Sequence, residues 1–562
     1  MPLIMGKQQR QDRTRRLLRH FVLGLVLLLA ALLLLYTAFS RWTMIPTPGD
    51  DGKTLSARVR VEGRQEGLRL SIGKSWLGWR EGVRFLWLEG DAREIGHAHG
   101  VLLRRLVGSN DHHLHSQLAA HAPRGVRRWL WLDLHQLRLR NLAQMVVPRR
   151  LVEVASLTRE APRAADLTFS TFQRALFYHA AFDLIHADGI PPSQSVVLAA
   201  WGEQASGPGV LAARSFVAQY GAPFDQNKVV MVVKENKSIA FVAVGWPGLV
   251  GVLTGINAKR LFVALSGARS DLGIAPGSPA LLLARRVLEE ASTIEEAVKV
   301  IKGAKRMGAF SLLVAEGKAE KAAVIEATPQ RVVLRKAKSR YLVVSDHLLH
   351  PKHKGDASND WVRRYTVSGI HHARAKQLLG RFAGRIDPAA LALILRNRTG
   401  LRDAPLGLGH RAALDSLDSI QGVVADVGNL VLWVNTGPGV LGRFVALDLK
   451  PLFGEATTPP LPEAIPADPL LQSLEYERYR LARSQMRFAE DLQRRGELRL
   501  AADHAQRAVD AAPGLPVARR ILADVFWELG DRAQAQHQYR RFLALKPALR
   551  GEVERVEQRL QP

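Results

Sequence analysis

The stretch from Val196 to Leu449 alternates short apolar runs with helical spacing, and this alternation limits the fold more than any other feature of the chain. The runs are rich in Val, Leu and Phe and are bounded by Gly, Asn or Asp; they are KVVMVVKE, SIAFVAVGW, RLFVALSG, RYLVVSDH and NLVLWVNTG. Runs of this kind are typical of strands. Residues 281–301 are amphipathic at helical spacing, with Ser292 or Thr293 as a cap for their second part. The pattern by itself predicts an α+β fold with mixed sheets.

The residues before this stretch predict further strands and helices of the same domain. Alternating segments between Arg58 and Glu89 favour strands. The segment LEGDAREIGHAHGVLLRRL (88–106) then changes to helical spacing, with Asp91 as the N-cap. Residues 110–190 are predicted to be mostly helical. A chain of 562 residues with 47% hydrophobic residues is long enough for two or three domains with a substantial core.

The N-terminal segment predicts a membrane anchor. An unbroken apolar run from Phe21 to Phe39 follows six basic residues, namely Lys7, Arg10, Arg13, Arg15, Arg16 and Arg19. Nineteen residues of helix measure about 28 Å, which is enough to cross a bilayer core. Because the positive charges precede the run, we expect a cytoplasmic N-terminus and export of everything after Arg41. A cleavable signal peptide is the alternative; the run is longer than a typical signal core and no small-x-small site follows it.

The charge and the cysteine content exclude several function classes. Lys and Arg number 79 against 52 acidic residues, which gives a net charge of +27. Such an excess suits nucleic acid or an anionic membrane surface. The sequence has no basic run interleaved with stacking aromatics, no zinc-finger spacing and no helix-turn-helix signature, so nucleic acid is not an expected partner. The chain contains no cysteine, which excludes disulfides, thiolate metal sites and a cysteine nucleophile.

A Pro-rich break, EATTPPLPEAIPADP (455–469), separates this domain from a repetitive tail. Gly496 and Gly530 are 34 residues apart (530 − 496), and so are Pro513 and Pro547 (547 − 513). A helical period of this length is typical of tetratricopeptide repeats, with an unrelated helical pair as the alternative. About two repeats make a short array, so we expect the tail to contact a protein partner, another subunit or the main domain.

Three motifs carry a resemblance to a known family. They are SVVLAAWGEQASGPGVLAARSF (195–216), VGWPGLVGVLTGIN (244–257) and the helix containing Gly96 and Gly100. Over about residues 85–450 the chain resembles the acyl-coenzyme A:6-aminopenicillanic acid acyltransferase family of N-terminal-nucleophile hydrolases. The resemblance implies an αββα sandwich. It also implies that Ser195, where the family normally has cysteine, becomes a new N-terminus when the bond after Gln194 is cut.

In such enzymes a Ser, Thr or Cys side chain attacks a carbonyl while its own free α-amine takes the proton. The resemblance implies Ser195 as nucleophile, with Arg214 and Asp346 beside it, and no cofactor or metal. A structural alternative is that Ser195 is only the polar first part of a strand.

Several polar positions differ from the family pattern. Val217 and Ser215 stand where Asp and Asn are expected, and Ser266 and Asp346 each stand in place of an Asn. An amide at 346 would donate to a developing oxyanion, whereas a carboxylate repels it unless protonated. Asp225 is a candidate substitute for the missing Asp, with a turn aspartate as the simpler interpretation.

The sequence therefore predicts a membrane-anchored acyltransferase- or amidohydrolase-like protein that acts on a small acyl or amide substrate. The alternative is a non-catalytic binding or scaffold protein that uses the same fold and the repeats to hold a protein partner. The expected organisation is a basic cytoplasmic segment (1–20), an anchor (21–40), a linker (41–57), the αββα domain (58–454), a Pro-rich linker (455–470) and the helical repeats (471–562). The main domain is expected to be extracytoplasmic, and periplasmic in a double-membrane bacterium.

Overall fold

The computed structural model describes residues 2–49, 55, 58–63, 67–121, 126–160, 169–188, 194–218, 221–455 and 463–561. Residues 191–192, part of the predicted linker 41–57 and residues 456–462 of the Pro-rich break lie outside these residues. The described part has a mixed α/β fold, as the alternating sequence predicted. The predicted domain boundaries stay predictions.

The strands, in chain order, are β1 (Arg60–Glu62), β2 (Arg69–Ile72), β3 (Ser75–Arg80), β4 (Val83–Gly90), β5 (Gln194–Trp201), β6 (Val210–Val217), β7 (Val229–Glu235), β8 (Phe241–Gly245), β9 (Thr254–Asn257), β10 (Leu261–Ala268), β11 (Ala309–Glu316), β12 (Lys321–Ala327), β13 (Val332–Lys336), β14 (Tyr341–Val344), β15 (Ser419–Asp426), β16 (Val431–Asn435) and β17 (Phe444–Asp448).

The helices are α1 (Pro2–Thr43), α2 (Ala92–Leu102), α3 (Arg104–His121), α4 (Val126–Leu139), α5 (Leu142–Met145), α6 (Pro148–Glu160), α7 (Thr171–Asp188), α8 (Ala222–Gln226), α9 (Ala280–Glu290), α10 (Ile294–Lys302), α11 (Ala357–Tyr365), α12 (Ser368–Arg381), α13 (Pro388–Leu395), α14 (Leu474–Arg495), α15 (Leu498–Ala511), α16 (Pro516–Leu529), α17 (Arg532–Ala544) and α18 (Arg550–Leu560). The predicted caps are confirmed: Asp91 caps α2 and Thr293 caps α10.

The strands form two sheets. The large sheet has the order β1-β2-β3-β4-β7-β8-β9-β10-β11-β12-β13, and the small sheet has the order β14-β5-β6-β15-β16-β17. Strands β4 and β7 pair in parallel, and the strands of the small sheet all pair antiparallel. Strand β4, which precedes helices α2 to α7, thus pairs directly with β7, which follows the β5–β6 hairpin of the small sheet.

Alternation along the strands builds an apolar layer between the two sheets. This inner layer contains Val197 and Ala212 from the small sheet with Val230 and Ala264 from the large sheet. The opposite face of the large sheet packs on α2, α6, α7, α9 and α10, and the opposite face of the small sheet packs on α12 and α13. Because strand residues alternate between faces, a polar residue at an inner-layer position points into the space between the sheets.

Two glycines in α2 allow its backbone to pack directly against the backbone of α6. A Cβ added at Gly96 would lie 2.2 Å from the carbonyl oxygen of Glu153, and one at Gly100 would lie 2.5 Å from that of Leu157. Larger residues at either position would force the helices apart. The spacing that carried part of the family resemblance thus has a packing reason in this chain.

A buried ion network joins α6 to α9 and β7. Arg285 donates to Glu153 at 2.9 Å and to Glu289 at 2.7 Å, and Arg150 pairs with Glu153 and Glu235. All five side chains are nearly inaccessible to solvent. Burial alone would lower the pKa of Arg285, but Glu153 and Glu289 raise it above its ordinary value.

The N-terminal helix α1 contains a 29-residue stretch, Arg15–Thr43, in which an 18-residue window has a mean hydropathy of 2.7 and no buried residue. By length and composition this helix is long and apolar enough to cross a membrane, a test that a signal sequence near the N-terminus also passes. At its end the chain enters the domain, because Thr43 is buried and Ile45 is only 2% exposed within the core.

The tail consists of consecutive helices that pack on their neighbours, and its first helix contacts the main domain. Gly496 and Gly530 end α14 and α16 in the left-handed conformation that favours glycine. Tyr479 packs on Gly409, and Arg483 pairs with Asp418 at 2.7 Å. Of the three contacts considered for the tail, the one with the main domain is present, whereas a protein partner, another subunit and the tetratricopeptide assignment stay predictions.

Candidate active site

Ser195 lies near the start of β5 and faces the inner layer. It shares that face with Val197, and its side chain is 1% exposed. The antiparallel register sets Phe216 of β6 opposite Ser195, and Arg214 opposite Val197. Arg214 is therefore a diagonal neighbour of Ser195 on the same face. Its Nη2 donates a hydrogen bond to Ser195 Oγ at 3.1 Å.

Arg214 is fixed from the opposite sheet. Its Nη1 donates to the carbonyl oxygen of Leu253 at 2.8 Å and to Thr254 Oγ1 at 3.1 Å. Thr254 in turn donates to Gln421 Oε1 at 2.9 Å, and Gln421 lies on β15. Burial lowers the pKa of Arg214 to about 9, against the opposing effect of Asp346. At neutral pH the guanidinium stays charged, so it can stabilise negative charge on Ser195 Oγ.

Asp346 follows β14, which pairs with β5 at the edge of the small sheet. Its Oδ2 accepts a hydrogen bond from the backbone nitrogen of Ser195 at 2.8 Å, and its Oδ1 accepts one from Ser266 Oγ at 3.0 Å. Ser266 reaches it from β10 of the large sheet. Burial raises the pKa of Asp346 to about 7, although both hydrogen bonds and the charge of Arg214 lower it. The carboxyl group is thus poised between its two protonation states near neutral pH.

The structure brings together the three residues singled out in the sequence. Ser195 contacts Arg214 through its hydroxyl and Asp346 through its backbone nitrogen. The carboxylate at 346 was expected to lie where an oxyanion develops. Its hydrogen bond to the nitrogen shows a different placement, next to the atom that a cut before Ser195 would turn into an amine.

Two of the other candidates have structural roles. Val217 lies opposite Gln194 in the β5–β6 pairing and is buried, so no carboxylate approaches from that side of the register. Asp225 pairs with Lys228 and accepts a hydrogen bond from the backbone nitrogen of Gly439 at 2.8 Å. It therefore ties the short helix α8 to the segment between β16 and β17, and it lies in a helix rather than in the turn that the sequence suggested.

Thr254 and Gln421 were not predicted from the sequence. Both are buried, and together they link Arg214 to both sheets. The available signal was a polar residue inside an otherwise apolar strand, in TGIN and SIQGVVAD. Among the described residues, no group of three or more His, Asp and Glu side chains is arranged to hold a metal ion.

The family comparison covers part of this site. Residues 221–379 match the family model of acyl-coenzyme A:6-aminopenicillanic acid acyl-transferase. The matched region includes Thr254, Ser266 and Asp346, whereas Ser195 and Arg214 precede it. The chain is also similar to an uncharacterized protein of Archaeoglobus fulgidus, with 28% identity over 149 residues. That match spans 25% of this chain and 24% of that protein.

Solved structures show weaker likenesses. The Caenorhabditis elegans ortholog of N-acylethanolamine-hydrolyzing acid amidase is 14% identical, with a TM-score of 0.30 over 42% of this chain and 93% of that chain. A mutant of the conjugated bile acid hydrolase from Clostridium perfringens is 14% identical, with a TM-score of 0.32 over 47% of this chain and 95% of that chain. The resemblance to the acyl-coenzyme A:6-aminopenicillanic acid acyl-transferase family is confirmed by the family model over residues 221–379, which contain one of the three motifs, VGWPGLVGVLTGIN (244–257).

Proposed function

We propose that this chain is a membrane-anchored amidohydrolase or acyltransferase in which Ser195, freed by self-cleavage, is an N-terminal nucleophile. The observation that carries the proposal is the pair of contacts on Ser195: a guanidinium on its hydroxyl and a carboxyl group on its nitrogen. We also propose that the two sheets and the helices on their outer faces form an αββα sandwich, a proposal supported by the apolar layer between the sheets. The helical tail is assigned to tetratricopeptide repeats that bind a protein partner.

Self-cleavage requires one proton to move from oxygen to nitrogen. Ser195 Oγ attacks the carbonyl carbon of Gln194, a C–O bond forms, and the C–N bond to Ser195 breaks. The Oγ proton passes to water as the C–O bond forms, and a protonated Asp346 gives its proton to the departing nitrogen. Asp346 regains a proton from water, so no net proton is consumed. Water then hydrolyses the ester, which leaves a carboxyl group on Gln194 and a free α-amine on Ser195.

The same groups serve substrate turnover. The α-amine takes the Oγ proton as Ser195 attacks an amide carbonyl and then gives it to the leaving amine. Ionised Asp346 orients the α-amine, a task that Val217 cannot perform. Arg214 stabilises negative charge on the oxygen. The acyl-serine ester is finally hydrolysed by water or transferred to another amine; hydrolysis is favoured, because acyl-coenzyme A is not expected outside the cytoplasm.

Loss of Ser195 is expected to abolish turnover. The test is release of carboxylic acid from a panel of N-acyl amides by the purified protein. We expect Ser195→Ala to reduce the rate by at least about 10³-fold. Ser215→Ala is the matched control, because Ser215 is also buried on the adjacent strand and its hydroxyl has no hydrogen-bond partner among the described residues. Equal activity of the two variants would refute Ser195 as nucleophile.

A non-catalytic binding protein is the alternative that Val217 favours, since this position offers no carboxylate. If the chain is such a binding protein, no amide in the panel is hydrolysed and no cut occurs before Ser195. The tail still contacts the main domain and binds the protein partner.

Replacing Asp346 should remove the dependence on pH that this group gives to both stability and processing. Between its ordinary value of 3.8 and about 7, the folded state holds a proton on Asp346 that the unfolded state has lost. The stability contributed by this group therefore falls as pH rises through that window. Asp346→Asn should gain stability relative to wild type from pH 5 to pH 8, by on the order of 3 kcal/mol. Self-cleavage of Asp346→Asn should be about 10²-fold slower than that of the wild type. It should also lack the fall in rate above pH 7 that the wild type shows as Asp346 loses its proton.

Asp415→Asn is the control for this experiment. Asp415 is buried, and burial also raises its pKa to about 7, but its hydrogen-bond donor is the backbone nitrogen of Leu417. We expect the same pH-dependent gain in unfolding temperature for both variants and unchanged cleavage for Asp415→Asn. Normal cleavage of Asp346→Asn at every pH would remove Asp346 from the mechanism.

The proposed topology places the domain outside the cytoplasm. A reporter that is active only after export, fused behind Pro48, should be active, because the basic residues precede Phe21. The protein should also stay in the membrane fraction after an alkaline wash, which removes electrostatically adsorbed proteins. An active cytoplasmic reporter at the same position contradicts the orientation. Absence of residues 21–39 from the mature protein shows a signal peptide instead.

A further inference from the structure

The outward face of α4 carries two exposed leucines between two exposed arginines. Leu130 is 65% exposed and Leu134 is 60% exposed, with Arg127 and Arg138 before and after them on the same face. These four residues form the α4 stripe. The opposite side of the helix is fixed in the domain, where Gln136 and Leu139 are buried. Single exposed leucines are common on protein surfaces, so exposure alone does not indicate a binding surface. The location of this pair in the fold is the informative observation.

The α4 stripe lies next to the end of the apolar helix. The Arg140 guanidinium, just after α4, lies 4.6 Å from the ring centre of Trp42, in the last turn of α1. Asp133 in the middle of α4 is near enough to Tyr36 to interact with it electrostatically. Since Ile45 is buried in the domain core, the end of α1 has a fixed position relative to α4. Trp42 itself is exposed, as is typical of aromatic residues at a membrane interface.

We propose that the α4 stripe is a second membrane-contacting element, with Leu130 and Leu134 in the apolar part of the outer leaflet and the two arginines at lipid phosphates. The proposal depends on α1 being a membrane span. An interfacial helix has this composition, with Leu toward the acyl chains and basic residues at the headgroups. The element holds the domain against the bilayer in one orientation, which a single span does not do.

A lipid surface fits the α4 stripe better than a second copy of the chain. In a symmetric dimer the same patch meets itself, so the arginines of the two copies would face each other across a small apolar contact. The net charge of +27 also disfavours self-association and favours anionic lipid. Because Arg140, just after α4, contacts Trp42 in the last turn of α1, the stripe lies near the point where α1 would leave the bilayer.

The absence of cysteine makes single-site labelling direct. Leu130→Cys and Leu134→Cys, made in the full chain, are labelled with a polarity-sensitive fluorophore. The protein is reconstituted in vesicles of equal parts phosphatidylcholine and phosphatidylglycerol, with a quencher attached to the lipid chains. Leu28→Cys in α1 is the positive control. Leu500→Cys, at a tail leucine that is 52% exposed, is the matched negative control.

We expect blue-shifted emission and at least about twofold quenching at positions 130, 134 and 28, and neither effect at 500. Quenching at 28 with solvent-like emission at 130 and 134 overturns the inference and leaves the anchor intact. No quenching at 28 refutes the anchor, and the inference falls with it. Blue-shifted emission at 130 and 134 without lipid quenching identifies a protein contact and also overturns the inference. None of these readouts depends on Ser195.

Discussion

The mature protein is expected to run as two fragments on denaturing electrophoresis, separated between Gln194 and Ser195. The first contains α1, and the second begins Ser-Val-Val-Leu. The reason is the geometry around one peptide bond: Arg214 contacts the attacking oxygen, and Asp346 contacts the nitrogen that must leave. N-terminal sequencing of the smaller and larger bands locates the cut without any knowledge of the substrate. Ser195→Ala should give a single uncut chain.

Ser215→Ala provides the control, since it removes a buried hydroxyl one strand away and should leave cleavage complete. A wild-type chain that stays intact under all conditions, and that Ser195→Ala does not alter, eliminates the N-terminal-nucleophile mechanism. In that case the scaffold interpretation stands.

The second large effect is expected at Arg285. Removing one partner from a buried ion network leaves uncompensated charges in the interior, which costs about 3–5 kcal/mol. Arg285→Ala leaves Glu153 and Glu289 without the guanidinium that each contacts. For Arg285→Ala we expect a clear fall in the urea concentration at the midpoint of unfolding, measured in detergent by tryptophan fluorescence.

The adjacent Arg286 offers a matched comparison. It pairs with Glu290 on the surface of the same helix, with about a third of each side chain exposed. Such a pair contributes about 0.5 kcal/mol or less, so Arg286→Ala should unfold like the wild type. Equal midpoints for the two variants mean that the buried network adds nothing to stability.

The strands were predictable because their signal is local. Alternation and apolar runs in KVVMVVKE and RLFVALSG correspond to β7 and β10, and Asp91 and Thr293 were recognisable as caps. The amphipathic segment 281–301 is divided into α9 and α10, with the break at residues 291–293 just before the Thr293 cap. The amphipathic period alone does not show this break, but the cap predicted at Ser292 or Thr293 does.

The site was predictable only in its residue types. Ser195, Arg214 and Asp346 were available from the motifs, but which atom each side chain contacts depends on how two sheets pack. Thr254 lies on one sheet and Gln421 on the other, so no sequence spacing relates them. The direction of Asp346 is set by the turn after β14, and only the structure shows that it faces the nitrogen of Ser195.

The parallel pairing of β4 with β7 has a consequence for a cut chain. If α1 spans the membrane and the chain is cut before Ser195, the fragment that contains Ser195 lacks α1 and stays at the membrane only through its contacts with the N-terminal fragment. Strand β4 and helix α6 lie in one fragment, whereas β7 and α9 lie in the other. The contacts between Glu153 and Arg285 thus become a subunit interface. Processing would convert a folded chain into an obligate heterodimer, whose release from the membrane is set by interior packing rather than by a linker.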